Sequence, residues 1–166
     1  MLGSSSGQDK QAAAGLDVAI EIAAPAGLVL RAFFDPQALG AWWQTTHAVT
    51  TPRSLGVYAV QWAPTEFRDD LLGRLGGVFH GTVVQFTPER GFFVADAYWL
   101  PPDGDPIGPM ALEVACTPAG PDRPGVVRVH VTQRGCDESE RWRRYYEVIS
   151  FGWERALVSL KSLLEK

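Results

Sequence analysis

The sequence predicts an α+β fold in which a curved antiparallel β-sheet wraps around a long C-terminal α-helix. Residues 16–23 alternate apolar and polar side chains, as a half-buried strand does. Several further runs of this kind lie between residues 55 and 132 and are joined by short turns, which favours antiparallel pairing. Residues 137–166 contain no proline, and their apolar side chains recur every three or four positions. The helix and one face of the sheet would bury each other.

Two short helices are expected after the first strand. Pro25 stands where a helix can begin, because proline suits the first helical turn. Asp35 follows this helix and can cap a second one over residues 36–43. The chain would therefore start with a strand, a helix and a short helix.

The middle of the chain reads as five strands over residues 55–62, 78–87, 92–100, 110–117 and 127–132. Residues 65–75 are rich in charge and read as a connection. In the third of these strands, residues 92–100, the side chains of Phe93, Ala95, Ala97 and Trp99 are predicted to share one face.

Two registers remain open for residues 78–87. One turns His80 and Thr82 inward, and the other buries Phe79 and Val83 and leaves His80 in water. An inward histidine could orient a ligand or act as an acid or base.

The last helix is predicted to begin at Asp137, with Glu140 as its capping-box partner. Such a helix needs a sheet to cover its apolar face. That face holds Tyr146, Ile149, Trp153, Ala156, Leu157, Leu160, Leu163 and Leu164.

Length and charge exclude several classes of protein. The 166 residues suit one domain, residues 17–166, after a flexible tail over residues 1–16. A net charge of −4 leaves no basic footprint for nucleic acid, and no apolar run reaches the ~18 residues of a membrane span.

No signal-peptide pattern occurs, and Cys116 and Cys136 form no disulfide framework, so we expect a cytoplasmic protein. No metal-ligand spacing, catalytic motif or cofactor fingerprint occurs, so neither a metal nor a cofactor is expected.

A set of short motifs accompanies this order of elements. They are Ile20-Glu21-Ile22-Ala23-Ala24-Pro25-Ala26, Phe33-Phe34-Asp35-Pro36, Leu39, Trp42-Trp43, Gly81-Thr82-Val83, Pro88-Glu89-Arg90, Gly135, and Gly152-Trp153 with Leu157, Leu160 and Leu164. In these residues the chain resembles the SRPBCC superfamily, also called START-like, which has the helix-grip fold. Within it, the chain is most similar to bacterial single-domain homologues of the activator of heat shock protein 90 ATPase. The glycine pair typical of those homologues is reduced to Gly56 here.

The resemblance implies an apolar cavity between the sheet and the long helix. Bulky aromatic side chains in the first half of that helix also fit poorly against a curved sheet. The alternative is that the same side chains form an ordinary core. The candidate ligand-binding residues are Trp43, Trp62, His80, Trp99, Met110, Tyr145, Tyr146, Ile149 and Trp153.

Three functions follow from the resemblance. The first is binding of a small hydrophobic or aromatic molecule, and the six tryptophans favour it. The second is a polyketide cyclase or hydrolase reaction in the same cavity, for which His80, Tyr145 and Glu147 would be the first residues to mutate. The third is a stress-response module that interacts with a chaperone. The eukaryotic activators have an additional N-terminal domain for which this chain is too short, so no ATPase stimulation is expected. A homodimer is left open.

Two features of the last helix have two interpretations each. Gly152 inside a helix costs ~1 kcal/mol relative to alanine, so either another element approaches closely or a ligand needs the room. Arg141, Arg143 and Arg144 form either solvated ion pairs or a site for an anionic group at the cavity entrance. Trp142 shares their turn and is expected to be half exposed.

Overall fold

The computed structural model describes residues 15–135 and 137–166. Strand β1 (Gly15–Ile22) precedes helices α1 (Ala26–Ala32) and α2 (Pro36–Trp42), and the chain ends in helix α3 (Glu140–Leu164). The other strands are β2 (His47–Thr50), β3 (Gly56–Trp62), β4 (Arg68–Asp69), β5 (Gly73–Arg74), β6 (Gly77–Thr87), β7 (Gly91–Leu100), β8 (Ile107–Pro118) and β9 (Val127–Arg134). This order confirms the predicted α+β fold with two short helices after the first strand.

Seven strands form one antiparallel sheet in the order β1-β9-β8-β7-β6-β3-β2, and β4 and β5 form a separate hairpin. Helix α3 packs against the inner face of the large sheet, and its buried side chains belong to one hydrophobic core with those of the strands. The buried residues of α3 are Trp142, Tyr145, Tyr146, Trp153, Ala156, Leu157 and Leu160. The helix-grip architecture implied by the resemblance is therefore present.

Most of the predicted tail, residues 1–14, lies outside the described residues. Gly15 and Leu16 belong to β1, and the side chain of Leu16 is buried. Cys136 also lies outside the described residues. Within the described chain, no helix has an apolar stretch long enough to cross a bilayer.

The burial of its neighbours in β6 decides the orientation of His80. The strand pairing with β7 shifts between His80 and Thr82 and again between Val83 and Gln85. Phe79 and Val83 are buried before the second shift, so the register that leaves His80 off the inner face is the one present. The His80 ring stacks on Tyr98 on the outer face, with 6.0 Å between the centroids.

A bulge in β7 corrects the predicted face of that strand. Its pairing with β8 shifts between Val94 and Ala97, where Asp96 has φ 55°. Phe92 and Val94 are buried before the bulge, and Ala97 and Trp99 after it. The prediction that Phe93 and Ala95 share the face of Trp99 is wrong, because the extra residue reverses the alternation.

The predicted N-cap residue is correct for α2 and lies two residues too early for α3. Asp35 Oδ1 accepts a hydrogen bond from the backbone N–H of Gln37 at 3.0 Å, as predicted for a cap. Helix α3 is capped by Ser139, whose Oγ accepts from Trp142 N at 3.2 Å. Asp137, the predicted cap, instead accepts from Ser139 N at 2.9 Å, which closes a turn just before the helix.

Candidate functional site

A pocket of about 550 Å³ lies between the middle of α3, the end of α2 and one end of the large sheet. The β4–β5 hairpin covers another side. Phe151 is 70% exposed at its mouth, so the pocket opens to solvent there. Besides Phe151, the aromatic residues that line the pocket are Trp43, Trp62, Phe79, Trp99, Tyr145 and Trp153.

Trp43 lies where three elements meet. Its ring stacks on Trp42, with 5.0 Å between centroids and 5° between planes. It also meets Trp62 of β3 edge-on at 5.0 Å and Trp153 of α3 at 4.6 Å. Trp42 itself is buried and donates its indole N–H to Ala32 O at 2.8 Å. Packing against these three tryptophans therefore fixes the position of the Trp43 ring.

Hydrogen bonds hold the other indole rings of the wall. Trp62 Nε1 donates to Trp43 O at 3.0 Å, and Trp99 Nε1 donates to Gly76 O at 2.8 Å. Trp153 Nε1 donates to Gln133 Oε1 at 3.1 Å. Because each N–H is bonded to the protein, these rings offer the pocket their apolar surfaces.

Gln133 of β9 lines the pocket and organises the buried polar atoms of its wall. Its side chain is 2% exposed. The amide Nε2 donates to the Tyr145 hydroxyl at 3.0 Å and approaches Met110 Sδ at 2.9 Å. Tyr145 in turn directs its hydroxyl toward Met110 Sδ at 3.7 Å, and burial raises its pKa. The Tyr145 phenol therefore stays protonated and uncharged at neutral pH.

The β4–β5 hairpin supplies Leu72 and Leu75 to the pocket. Leu72 is 2% exposed, so the hairpin is packed down on the helix. The buried carboxylate of Asp69 holds it there through Arg144 of α3, with Oδ1 and Nη2 2.7 Å apart. This hydrogen-bonded arginine lowers the pKa of Asp69.

Six of the nine predicted site residues line this pocket, and three do not. The six are Trp43, Trp62, Trp99, Tyr145, Ile149 and Trp153. His80 lies on the opposite face of the sheet, Met110 lies behind Tyr145, and Tyr146 donates its hydroxyl to Gly135 O at 2.8 Å. A role of the six in contacting a ligand stays a prediction.

Gly152 faces open space. Apart from its chain neighbours and the backbone of its own helix, a Cβ atom built there would have no heavy atom within 4 Å, and the residue lines the pocket. The interpretation that a strand or Trp42 and Trp43 approach this glycine closely is therefore wrong. The room it leaves belongs to the pocket mouth.

The three arginines at the start of α3 do not line the pocket. Arg144 pairs with Asp69, and Arg141 and Arg143 donate to backbone carbonyls at 2.7 Å and 2.8 Å. Trp142 beside them is 6% exposed, so its expected half exposure is wrong.

Gln133, Leu72 and Arg155 are residues that the sequence reading missed. The alternation of Val127, Val129 and Val131 continues to position 133, so its period of two could have placed Gln133 on the inner face. No comparable periodicity marks the hairpin. Among the described residues, no group of three or more histidine, cysteine or acidic side chains could hold a metal ion.

Comparison with known proteins gives the chain its relatives. No curated protein matches it. A solved structure from Mycobacterium smegmatis has a TM-score of 0.69 and 15% identity, covering 90% of each chain. One from Chromobacterium violaceum has a TM-score of 0.66 and 21% identity over 92% of this chain and 97% of that one. The AHSA1 protein of Silicibacter pomeroyi has a TM-score of 0.58 and 18% identity over 90% and 97%.

These identities are low, so the solved structures support the fold alone. The family described as Activator of Hsp90 ATPase homolog 1-like protein matches residues 23–165. That match runs from the end of β1 to the end of α3 and includes every element that forms the pocket. The chain therefore belongs to the Activator of Hsp90 ATPase homolog 1-like family.

Proposed function

We propose that this protein binds a small hydrophobic or aromatic molecule in the pocket between the sheet and helix α3. The observation that carries the proposal is the aromatic wall, whose rings are fixed while about 550 Å³ beside them is left unfilled. Ligand pockets commonly measure ~300–1,000 Å³ and are mostly apolar with a few polar groups. This pocket matches that description in size and chemistry.

Contacts between protein side chains hold the wall in place. Trp43 is held by Trp42, Trp62 and Trp153, and Trp99 stacks on Tyr145 with 5.3 Å between centroids. Binding of a ligand would therefore cost these side chains little conformational entropy. Flat aromatic faces suit a planar or apolar molecule, since their polar N–H edges are engaged elsewhere.

Binding has more support than the cyclase or hydrolase alternative. Acid–base chemistry needs a titratable group within hydrogen-bond reach of the substrate. His80 lies on the outer face of the sheet, and the side chain of Glu147 is 64% exposed and 3.7 Å from Arg144. Of the three residues named for that reaction, Tyr145 alone lines the pocket, and its hydroxyl is occupied by Gln133 and Met110.

Gly152 permits a test that separates binding from folding. Gly152→Leu places a side chain in the pocket mouth, where no atom within 4 Å of its Cβ obstructs it. Leucine also favours a helix more than glycine does, so the variant should fold at least as stably. The probe is phenyl-naphthylamine, a neutral aromatic dye that fluoresces in apolar sites, excited by energy transfer from the tryptophans. Val158→Leu is the control, because Val158 is 58% exposed on α3 and does not line the pocket.

We expect the wild type and Val158→Leu to bind the dye alike and Gly152→Leu to bind it at least about tenfold more weakly. Thermal unfolding would verify that all three proteins are folded. Equal binding by the folded Gly152→Leu variant, or no binding by the wild type, would overturn the proposed function.

A further inference from the structure

Arg155 of helix α3 is the only charged residue among those that line the pocket in the described part of the chain. It follows Gly152 by three positions, so both lie on the same side of the helix. Its side chain is exposed, at the edge of a mostly apolar wall whose other polar side chains, Gln44, Thr65 and Gln133, are uncharged.

The charge of Arg155 has no acidic partner among the described residues. Other cations of α3 do have one: Arg144 pairs with Asp69 at 2.7 Å, and Lys161 pairs with Glu165 at 2.8 Å. The positions three and four residues away from Arg155 hold Phe151, Gly152, Val158 and Ser159, all uncharged. The guanidinium is thus available to an anion at the pocket mouth.

The interior of the pocket, by contrast, is mostly apolar. The indole N–H groups of Trp62, Trp99 and Trp153 are bonded to protein acceptors. A polar group carried to this depth would lose its water and find these donors occupied, which costs free energy. The buried end of a ligand is therefore apolar, and a charged end belongs at the mouth.

We propose that the ligand is an amphipathic anion, with an apolar or aromatic body against the tryptophans and a carboxylate or sulfonate group beside Arg155. The proposal rests on the proposed function and names the class of molecule that the pocket selects. Arginine suits this position, because its planar fork can donate two hydrogen bonds to one acidic group.

Two dyes that differ by one charged group provide the test. Phenyl-naphthylamine is neutral, and anilinonaphthalene sulfonate has the same ring system with a sulfonate. Each is titrated into the wild type, Arg155→Gln, Arg155→Lys and the control Arg128→Gln. Arg128 is exposed on β9 and does not line the pocket, so its variant changes the net charge equally. Gly152→Leu identifies the part of each signal that comes from the pocket.

We expect Arg155→Gln to weaken the sulfonated dye by about three- to tenfold and to change the neutral dye less than twofold. Arg155→Lys keeps the charge but loses the planar fork, so it should retain only part of the affinity, whereas Arg128→Gln should retain all of it. Added salt should weaken the sulfonated dye in the wild type more than in Arg155→Gln.

The outcomes separate this inference from the proposed function. If the neutral dye binds in the pocket and Arg155→Gln leaves the sulfonated dye unaffected, the inference is overturned and the proposed function stands. An equal loss in Arg128→Gln would also overturn it, because the effect would then come from net charge. If neither dye binds the wild type, the proposed function fails and the inference fails with it.

Discussion

Asp69 and Arg144 join the β4–β5 hairpin to helix α3 across 75 positions of sequence. The carboxylate Oδ1 accepts from Arg144 Nη2 at 2.7 Å and from Nε at 2.8 Å. Its Oδ2 accepts from the backbone N–H groups of Leu71 at 3.0 Å and Leu72 at 3.1 Å. One buried carboxylate therefore shapes the hairpin turn and holds Leu72 at the pocket.

Asp69→Asn should lower the free energy of unfolding by about 1–3 kcal/mol. The amide has nearly the same shape but no charge, and it leaves the Arg144 guanidinium with only the longer contact to Glu147, at 3.7 Å. The measurement is urea unfolding at neutral pH. Asp103→Asn is the control, since Asp103 forms an exposed ion pair with Arg68 at 3.3 Å and should change stability by less than about 1 kcal/mol. Equal losses in both variants would contradict the special role of Asp69.

The same carboxylate should make stability depend on pH. Arg144 holds the pKa of Asp69 below its ordinary value in the folded protein. A lowered folded pKa means that the stabilisation is complete above the unfolded value of ~4 and is lost as pH falls through the folded value. The stability difference between wild type and Asp69→Asn should therefore shrink as pH falls from neutral toward ~3. A difference that stays constant over that interval would show that this ion pair is not responsible.

The sequence predicted the order of the elements well and the details of two strands poorly. Alternation and helical spacing identify β1, β3 and α3, because each buries one continuous face. The same alternation leaves the face of His80 open and misplaces Phe93, because bulges in β6 and β7 shift the register within each strand. A bulge depends on how two strands pair, and one strand read alone does not reveal it.

The pocket was predictable in part for a related reason. Trp43, Trp62 and Trp153 are far apart in sequence and meet at 5.0 Å and 4.6 Å because the fold brings α2, β3 and α3 together. The family resemblance implied that meeting. Residues 65–75, which include the hairpin, look like a connection in the sequence. The buried role of Asp69 arises from a partner that lies 75 positions away, and the local sequence does not show it.

Gly152→Ala should raise the free energy of unfolding by about 0.5–1 kcal/mol. Alanine loses less backbone entropy on folding, and its Cβ would meet no heavy atom within 4 Å. Chemical unfolding of both proteins measures the change. Gly81→Ala is the contrasting variant, because its Cβ would lie 2.6 Å from Val94 Cγ1 and should destabilise the protein. A destabilised Gly152→Ala protein would mean that another group approaches the helix there.

Gln133 and Tyr145 should be energetically coupled. Gln133→Leu removes the acceptor of the Trp153 N–H and the donor to the Tyr145 hydroxyl, so it should cost about 1–3 kcal/mol of stability. Tyr145→Phe removes one hydroxyl from the same network and should cost about 1 kcal/mol.

Gln133→Leu leaves the Tyr145 hydroxyl without its donor, and this costs stability. The double variant lacks that hydroxyl and so does not carry this cost. The two losses should therefore sum to more than the loss in the double variant, by at least ~0.5 kcal/mol. A double-mutant cycle of urea unfolding measures this coupling. Strict additivity would mean that the 3.0 Å contact between Gln133 Nε2 and the Tyr145 hydroxyl contributes nothing to stability.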